Sequence, residues 1–232
     1  MKDKVIKMAP ILIFSIGLLG ASLSSSREKR HLVLQSPKLD TAVIVRPVDT
    51  VVSVKGKKVL FIGDSHTAYS NGWQDRLCRR TGMTYLNSAV GGKQTAWMVG
   101  EARQKITNYF DYCFIYGGAN DMAGNRSPMK SVKNVQIIVD LCIKAHVKPI
   151  VVTGFDPITC IDVRGRDVYR GYPQRYARFQ QLLVDSIKGA TVVKTHYISR
   201  TDCGDFLCHM AASGHRKMAD SIIKTMKFKT IK

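Results

Sequence analysis

Between residues 57 and 226 short apolar runs alternate with stretches of helical periodicity, and glycine or polar turns mark each change. Residues 59–62, 83–86, 112–116, 149–153 and 190–193 are too short for core helices and rich in β-branched or aromatic side chains. They read as strands. Helices are expected at 72–80, 95–109, 128–146, 173–188 and 213–226. Trp73 and Leu77 share a face of the first, and Trp97, Ala102 and Ile106 are the inward positions expected of the second. The third carries a broad stripe of Val132, Val135, Ile138, Val139, Cys142 and Ile143, with Pro128 placed for its first turn. The fourth aligns Tyr176, Phe179, Leu182, Leu183 and Ile187. Strands alternating with helices build parallel βαβ units covered on both faces. The fold class is α/β: a flavodoxin-like, doubly wound parallel sheet of about five strands with helices on both faces. No internal repeat interrupts this pattern.

In such a sheet the reactive groups gather beyond the carboxyl ends of the strands. Ser65, in Gly63-Asp64-Ser65, follows the first strand. Gly91 and Gly92 come a few residues after the second, and Asn120 and Asp121 follow the third in YGGAND. His209 lies in the loop before the last helix, with Asp205 just ahead of it. All of these fall on the expected rim.

Four stretches resemble the sequence blocks of the SGNH (GDSL-type) hydrolases, a family of esterases and lipases. Gly63-Asp64-Ser65 is similar to block I, NSAVGG at 87–92 to block II, Gly118-Ala119-Asn120-Asp121 to block III, and CHMAASGHRKMAD at 208–220 to block V. The similarity spans about residues 57–226 in order and at compatible spacing. It implies an ester hydrolase working through an acyl-Ser65 intermediate and needing no cofactor or metal. His209 would take the Ser65 proton and return it to the leaving alcohol, and Asp205 would fix the imidazole tautomer. The backbone N–H groups of Ser65 and Gly92 and the Asn120 side-chain amide would form the oxyanion hole. The chain departs from the family at one point: the position three before the histidine is Phe206, and Asp205 stands four before it. Asp202 or a backbone carbonyl is the alternative orienting acceptor. A Cys203–Cys208 disulfide around Asp205 would impose the needed bulge.

Five other histidines compete as the base. His31 lies in the linker, His66 is expected to point away from Ser65, and His146 ends a helix. His196 follows the fifth strand and is the strongest rival, and His215 reads as a residue of the last helix face.

The formal charge is +19, of which +7 falls in residues 1–58, so the body of the chain is itself basic. A basic body favours anionic surroundings, and the partner expected is an ester-bearing acidic glycan or anionic lipid. Nucleic acid is disfavoured by the absence of a recognition motif. Lys2, Lys4 and Lys7 precede an apolar run at 8–23, shorter than the about 20 residues of a membrane span. Residues 1–26 therefore read as a signal peptide, with a retained anchor contacting membrane through 8–23 as the alternative, and the protein as exported. Residues 27–56 read as a linker with one edge strand, and 57–232 as the hydrolase domain. Cys113 and Cys142 lie in apolar runs and read as buried thiols, while Cys160, Cys203 and Cys208 are the bridge candidates. The competing functions are a binding module that keeps the fold with weak catalysis, and a glycan O-acyltransferase. The 154–171 connection, rich in arginine, reads as a substrate-facing lid.

Overall fold

A five-stranded, all-parallel sheet with strand order β2-β1-β3-β4-β5 forms the centre of the molecule. Its strands are β1 (Lys58–Gly63), β2 (Thr84–Asn87), β3 (Tyr112–Tyr116), β4 (Lys148–Val152) and β5 (Thr191–Val193). The computed structural model describes residues 50–156, 169–195, 197–204 and 209–231. The leader, most of the linker, Cys160, Cys208, His196 and Asp205 lie outside the described residues. The compact unit that holds the sheet runs over Val48–Lys232.

β1 and β3 are central and buried almost throughout, as a strand covered on both faces must be. The short helices α1 (Ser65–Ala68) and α4 (Ala119–Ala123) follow them directly. The longer helices are α2 (Trp73–Thr81), α3 (Thr95–Lys105), α5 (Pro128–Lys144), α6 (Tyr172–Ser186) and α7 (Ala212–Met226). α3, α5 and α6 pack in succession, and α2 packs on α7. The reversal of strand order at β1 and right-handed crossovers set these two layers on opposite faces. α5 starts as expected, with Pro128 in its first turn and the Ser127 hydroxyl accepting from Lys130 N–H. It buries Val132, Val135, Ile138, Val139 and Cys142. Each fully buried aliphatic of this kind is worth about 1.5–3 kcal/mol over exposure.

Two sequence expectations shift. The helix expected at 95–109 stops at Lys105, because Ile106 leaves the helical region (ψ 114°) and a turn closes from Phe110 N–H to Thr107 O. Met98, Val99 and Ala102 fill its core face, while Trp97 is half-buried with the Lys93 ammonium over its ring. In the described part of the linker, the expected edge strand is a single bridge between Val52 and Phe228. Val54 is nonetheless buried in the core. The Val52 N–H donates to Lys227 O and Lys229 N–H donates to Val52 O, both at 2.8 Å. Phe228 stacks edge-on against Tyr112, the first residue of β3. The start and end of the domain thus meet at the amino-terminal ends of the strands.

The turn after β1 is tightly built. Gly63 pairs with Tyr116 across the sheet. A Cβ at Gly63 would stand 2.5 Å from Tyr116 O and 2.7 Å from Thr67 Oγ1, both closer than real side chains approach. Asp64 is wholly buried and caps α1, its carboxylate accepting from His66 N–H at 3.1 Å. Burial pushes this carboxyl up to about 7, with the Asp121 charge adding to the rise and the bonds from His66 N–H and Asn120 opposing it. At the neighbouring helix starts, Trp73 N–H donates to His215 Nδ1 at 3.2 Å, joining the beginnings of α2 and α7. Burial, then the Arg76 charge, pushes His215 down to about 4.

These features make two predictions. Gly63→Ala should cost about 1–3 kcal/mol by overpacking, read as a drop of several degrees in thermal midpoint. An unchanged midpoint would show that the β1–β3 approach is not tight. The second concerns pH. Between its unfolded value of 3.8 and about 7, folded Asp64 keeps a proton the unfolded chain has released, so its contribution to stability falls as pH rises through that window. His215 acts in the opposite sense from about 4 to 6.5, where the unfolded chain binds the extra proton and stability rises with pH. Asp64→Asn removes the first effect. Denaturant titrations from pH 4 to 7 should therefore show the variant's stability rising with pH more steeply than wild type; parallel profiles would mean that Asp64 is already ionised in the fold.

Candidate active site

Ser65 stands at the start of α1, immediately beyond the carboxyl end of β1, because Gly63 lets the chain pass close to β3 and Asp64 then caps the turn. His209 comes from the other side of the rim. Its position is held by the Cys203–Met210 bridge and by Gly204 N–H donating to His209 O at 2.7 Å. Asp202, next to that bridge, rests on α7, where Gly214 admits its carbonyl so closely that a Cβ would stand 2.5 Å from it. The result is a 3.0 Å contact between His209 Nε2 and Ser65 Oγ, residues 144 positions apart in the chain.

Asn120 opens α4, just beyond β3. Its Nδ2 donates to Asp64 Oδ2 at 3.3 Å and to Lys93 O at 3.2 Å. The amide is thus held between the turn after β1 and the loop after β2, beside Ser65. Asp121, next in sequence, is structural. Its carboxylate accepts from Thr95 N–H at 2.9 Å, Thr95 Oγ1 at 2.6 Å and Ser131 Oγ at 2.9 Å. It thereby ties α3 and α5 to the loop after β3.

Gly91 and Gly92 form the turn after β2, closed by Lys93 N–H donating to Val90 O. The turn abuts the nucleophile through Gly91, whose added Cβ would sit 3.7 Å from Ser65 Cβ. Gly92 has φ +74°, with open space where its side chain would be. Among the described residues no backbone acceptor takes the N–H of Ser65 or of Gly92.

Ser65, Asn120 and His209 line one cavity of about 100 Å³ with His66, Ala119, Ala123, Tyr169 and Tyr172. Gly92 is not among the residues that line this cavity. Asp205 lies outside the described residues, as does most of the expected lid; Tyr169, from the lid's described end, reaches the cavity wall. Asp202, the alternative orienting acid, is committed elsewhere. It caps the 3-10 turn Arg200–Asp202 and accepts from Lys217 Nζ at 2.7 Å.

His66 departs from expectation. Its side chain turns into the cavity, with its ring 5.1 Å from that of His209 and 4.8 Å from Phe155. It is buried, and its Nδ1 has no partner among the described residues. The signal for this inward turn is weak in sequence, because α1 is one turn long and shows no period. Burial, followed by the nearby His209 and His215, holds His66 well below the usual imidazole range. An imidazolium forming at His209 therefore meets two neutral rings rather than two like charges. His215 does not reach the serine; its ring faces Tyr69, which faces His209 in turn.

The arrangement is a hydroxyl in contact with an imidazole, beside a side-chain amide and two glycines, on the rim of a doubly wound sheet. A family model, the GDSL-like Lipase/Acylhydrolase family, matches residues 61–217. No curated protein matches the chain. Solved structures share the fold. A GDSL-like lipase from Bacteroides thetaiotaomicron is 16% identical with a TM-score of 0.61, covering 73% of this chain and 87% of its own. A member of the lipolytic G-D-S-L family from Veillonella parvula is 15% identical with a TM-score of 0.59, covering 72% and 96%. A catalytic mutant of an acetylxylan esterase from Geobacillus stearothermophilus is 15% identical with a TM-score of 0.58, covering 78% and 98%. With a family match that spans both Ser65 and His209, the chain belongs to the GDSL-like lipase/acylhydrolase family and is a serine hydrolase acting on ester bonds.

Proposed function

We propose that the chain removes short acyl groups, acetyl above all, from a glycan through an acyl-Ser65 intermediate. The observation that carries the reading is the 3.0 Å contact between Ser65 Oγ and His209 Nε2. A serine hydroxyl is a weak nucleophile until a base in contact takes its proton. As Oγ attacks the ester carbonyl, its proton passes to His209 Nε2, and the carbonyl π electrons move onto the oxygen. The N–H groups of Ser65 and Gly92 and the Asn120 amide receive the oxyanion. For this, one Nδ2 hydrogen of Asn120 must turn from Lys93 O or Asp64 toward the substrate; a protonated Asp64 holds that amide less strongly. The tetrahedral adduct collapses, and the departing alcohol takes the proton from Nε2. Water, deprotonated by the same imidazole, then releases the acyl group from Ser65. Asp205 orients the imidazole as the acceptor for Nδ1.

The preference for a short acyl chain rests on the cavity. Among the described residues Ala119, Ala123, Tyr169 and Tyr172 wall a cavity of about 100 Å³, a space of the size that an acetyl group fills. The fold similarity to an acetylxylan esterase agrees with a sugar acetate as substrate.

Nitrophenyl esters of increasing chain length test these roles. Ser65→Ala and His209→Gln should each lower kcat by at least about 10³-fold, because the two act as one unit. Asn120→Ala should lower kcat by about 10²–10³-fold with little change in KM, as loss of a donor used in the transition state does. Equal rates for wild type and Ser65→Ala would overturn the mechanism. Acetyl and propionyl esters should exceed octanoyl in kcat/KM by at least about tenfold; the reverse order would overturn the short-acyl assignment and leave the nucleophile in place.

A further inference from the structure

The outer surfaces of α2 and α7 meet in a strongly basic hollow that the hydrolytic chemistry does not use. Arg76, Arg79 and Arg80 stand three and four residues apart on α2, the spacing that puts side chains on one helix face. With Arg216 and Asp220 of α7 they line a cavity of about 350 Å³. Four guanidinium groups thus face one carboxylate, and Arg80 already pairs with it. Arg76 Nε and Arg79 Nη1 donate to the neutral oxygens of Asn71, at 3.2 and 3.4 Å, so these contacts place the side chains without neutralising them. Asp75, the one acid of α2, accepts from Asn71 N–H and the Tyr85 hydroxyl. The hollow carries a net charge of +3 from its lining groups.

Its position relates it to Ser65. α2 and α7 begin together at the rim, joined by the bond from Trp73 N–H to His215 Nδ1, and Tyr69 bridges from His215 to His209. Arg76 is one helical turn along α2 from Trp73 and Arg216 is next to His215, so the basic strip starts beside the site and runs away from it. The Arg76 charge is felt at His215, whose proton affinity it lowers.

We propose that this arginine hollow binds anionic groups on the same polymer that carries the ester, so that the substrate is an acidic polysaccharide with its acyl group presented to Ser65. This rests on the esterase reading above. Arginine forks suit planar or tetrahedral oxyanions, carboxylate, sulfate or phosphate, which they hold through paired N–H donors. A concave surface lined only by charged side chains suits a polymer strand. A bilayer surface calls for apolar side chains among the basic ones, and among the described residues none lines this hollow.

The test is Arg79→Ala/Arg216→Ala, two exposed positions outside the serine cavity. Initial rates of acetate release are compared on O-acetylated polygalacturonate, which is anionic, and on acetylated xylan of low uronate content. The ratio of kcat/KM on the anionic polymer to that on xylan should fall at least about tenfold in the variant, through KM, and 0.5 M salt should bring wild type to the same ratio. An equal ratio in both proteins would overturn the proposal, as would an equal loss on both polymers. Binding of the Ser65→Ala protein to unacetylated polygalacturonate, measured by calorimetry, separates the two readings. Binding that depends on Arg79 and Arg216 supports the hollow even where no ester is cleaved, and its absence counts against the hollow even where nitrophenyl acetate is hydrolysed. Arginine-dependent sedimentation with phosphatidylglycerol vesicles, without polygalacturonate binding, would assign the strip to membrane and overturn the proposal.

Discussion

A single buried carboxyl group holds the site's geometry together. Asp64 receives the His66 N–H from its own turn and the Asn120 amide from the loop after β3, so the nucleophile's turn and the amide share one fixed point. In a parallel sheet two such loops meet only because their strands are neighbours and end at the same level, as β1 and β3 do at Gly63 and Tyr116. Burial makes a charge on Asp64 costly, and the fold meets that cost with donors from both loops and by raising the group's proton affinity. Asp121 repeats the device one layer out, gathering Thr95 and Ser131 so that α3 and α5 set the position of the loop that carries Asn120. The serine is therefore placed by a polar frame inside an apolar core. The imidazole is placed separately, by the Cys203–Met210 bridge and the seat of Asp202 on α7.

This division explains what could be read from the chain alone. β1 and β3 announce themselves as continuous apolar runs, the imprint of strands covered on both faces, and α5 and α6 by the 3.6-residue pattern of one buried face. The rim residues were legible by a different route: topology fixes where loops after strands must go, and Ser65, Asn120 and His209 all lie in them. The 3.0 Å contact between residues 65 and 209 follows from that topology together with the loop's seat on α7.

What escaped sequence reading has physical causes. One-turn helices such as α1 and α4 have no period, so the direction of His66 had only a weak sequence signal. The early end of α3 at Lys105 depends on a backbone choice at Ile106, an apolar residue that fits a helix or a turn. Val54 lies in the core two residues after Val52 pairs with Phe228, a long-range contact that no local window contains. The glycine pair after β2 could be recognised without revealing how its two members divide the work: Gly91 meets the serine, and among the described residues no backbone acceptor takes the Gly92 N–H.

The pairing of Val52 with Phe228 carries a practical corollary. Both ends of the folded body leave from the pole where the strands begin, while hydroxyl and imidazole occupy the pole where they finish. A module joined at residue 50 or at residue 231 would leave from the back of the fold, away from its reactive mouth and the cationic strip beside it.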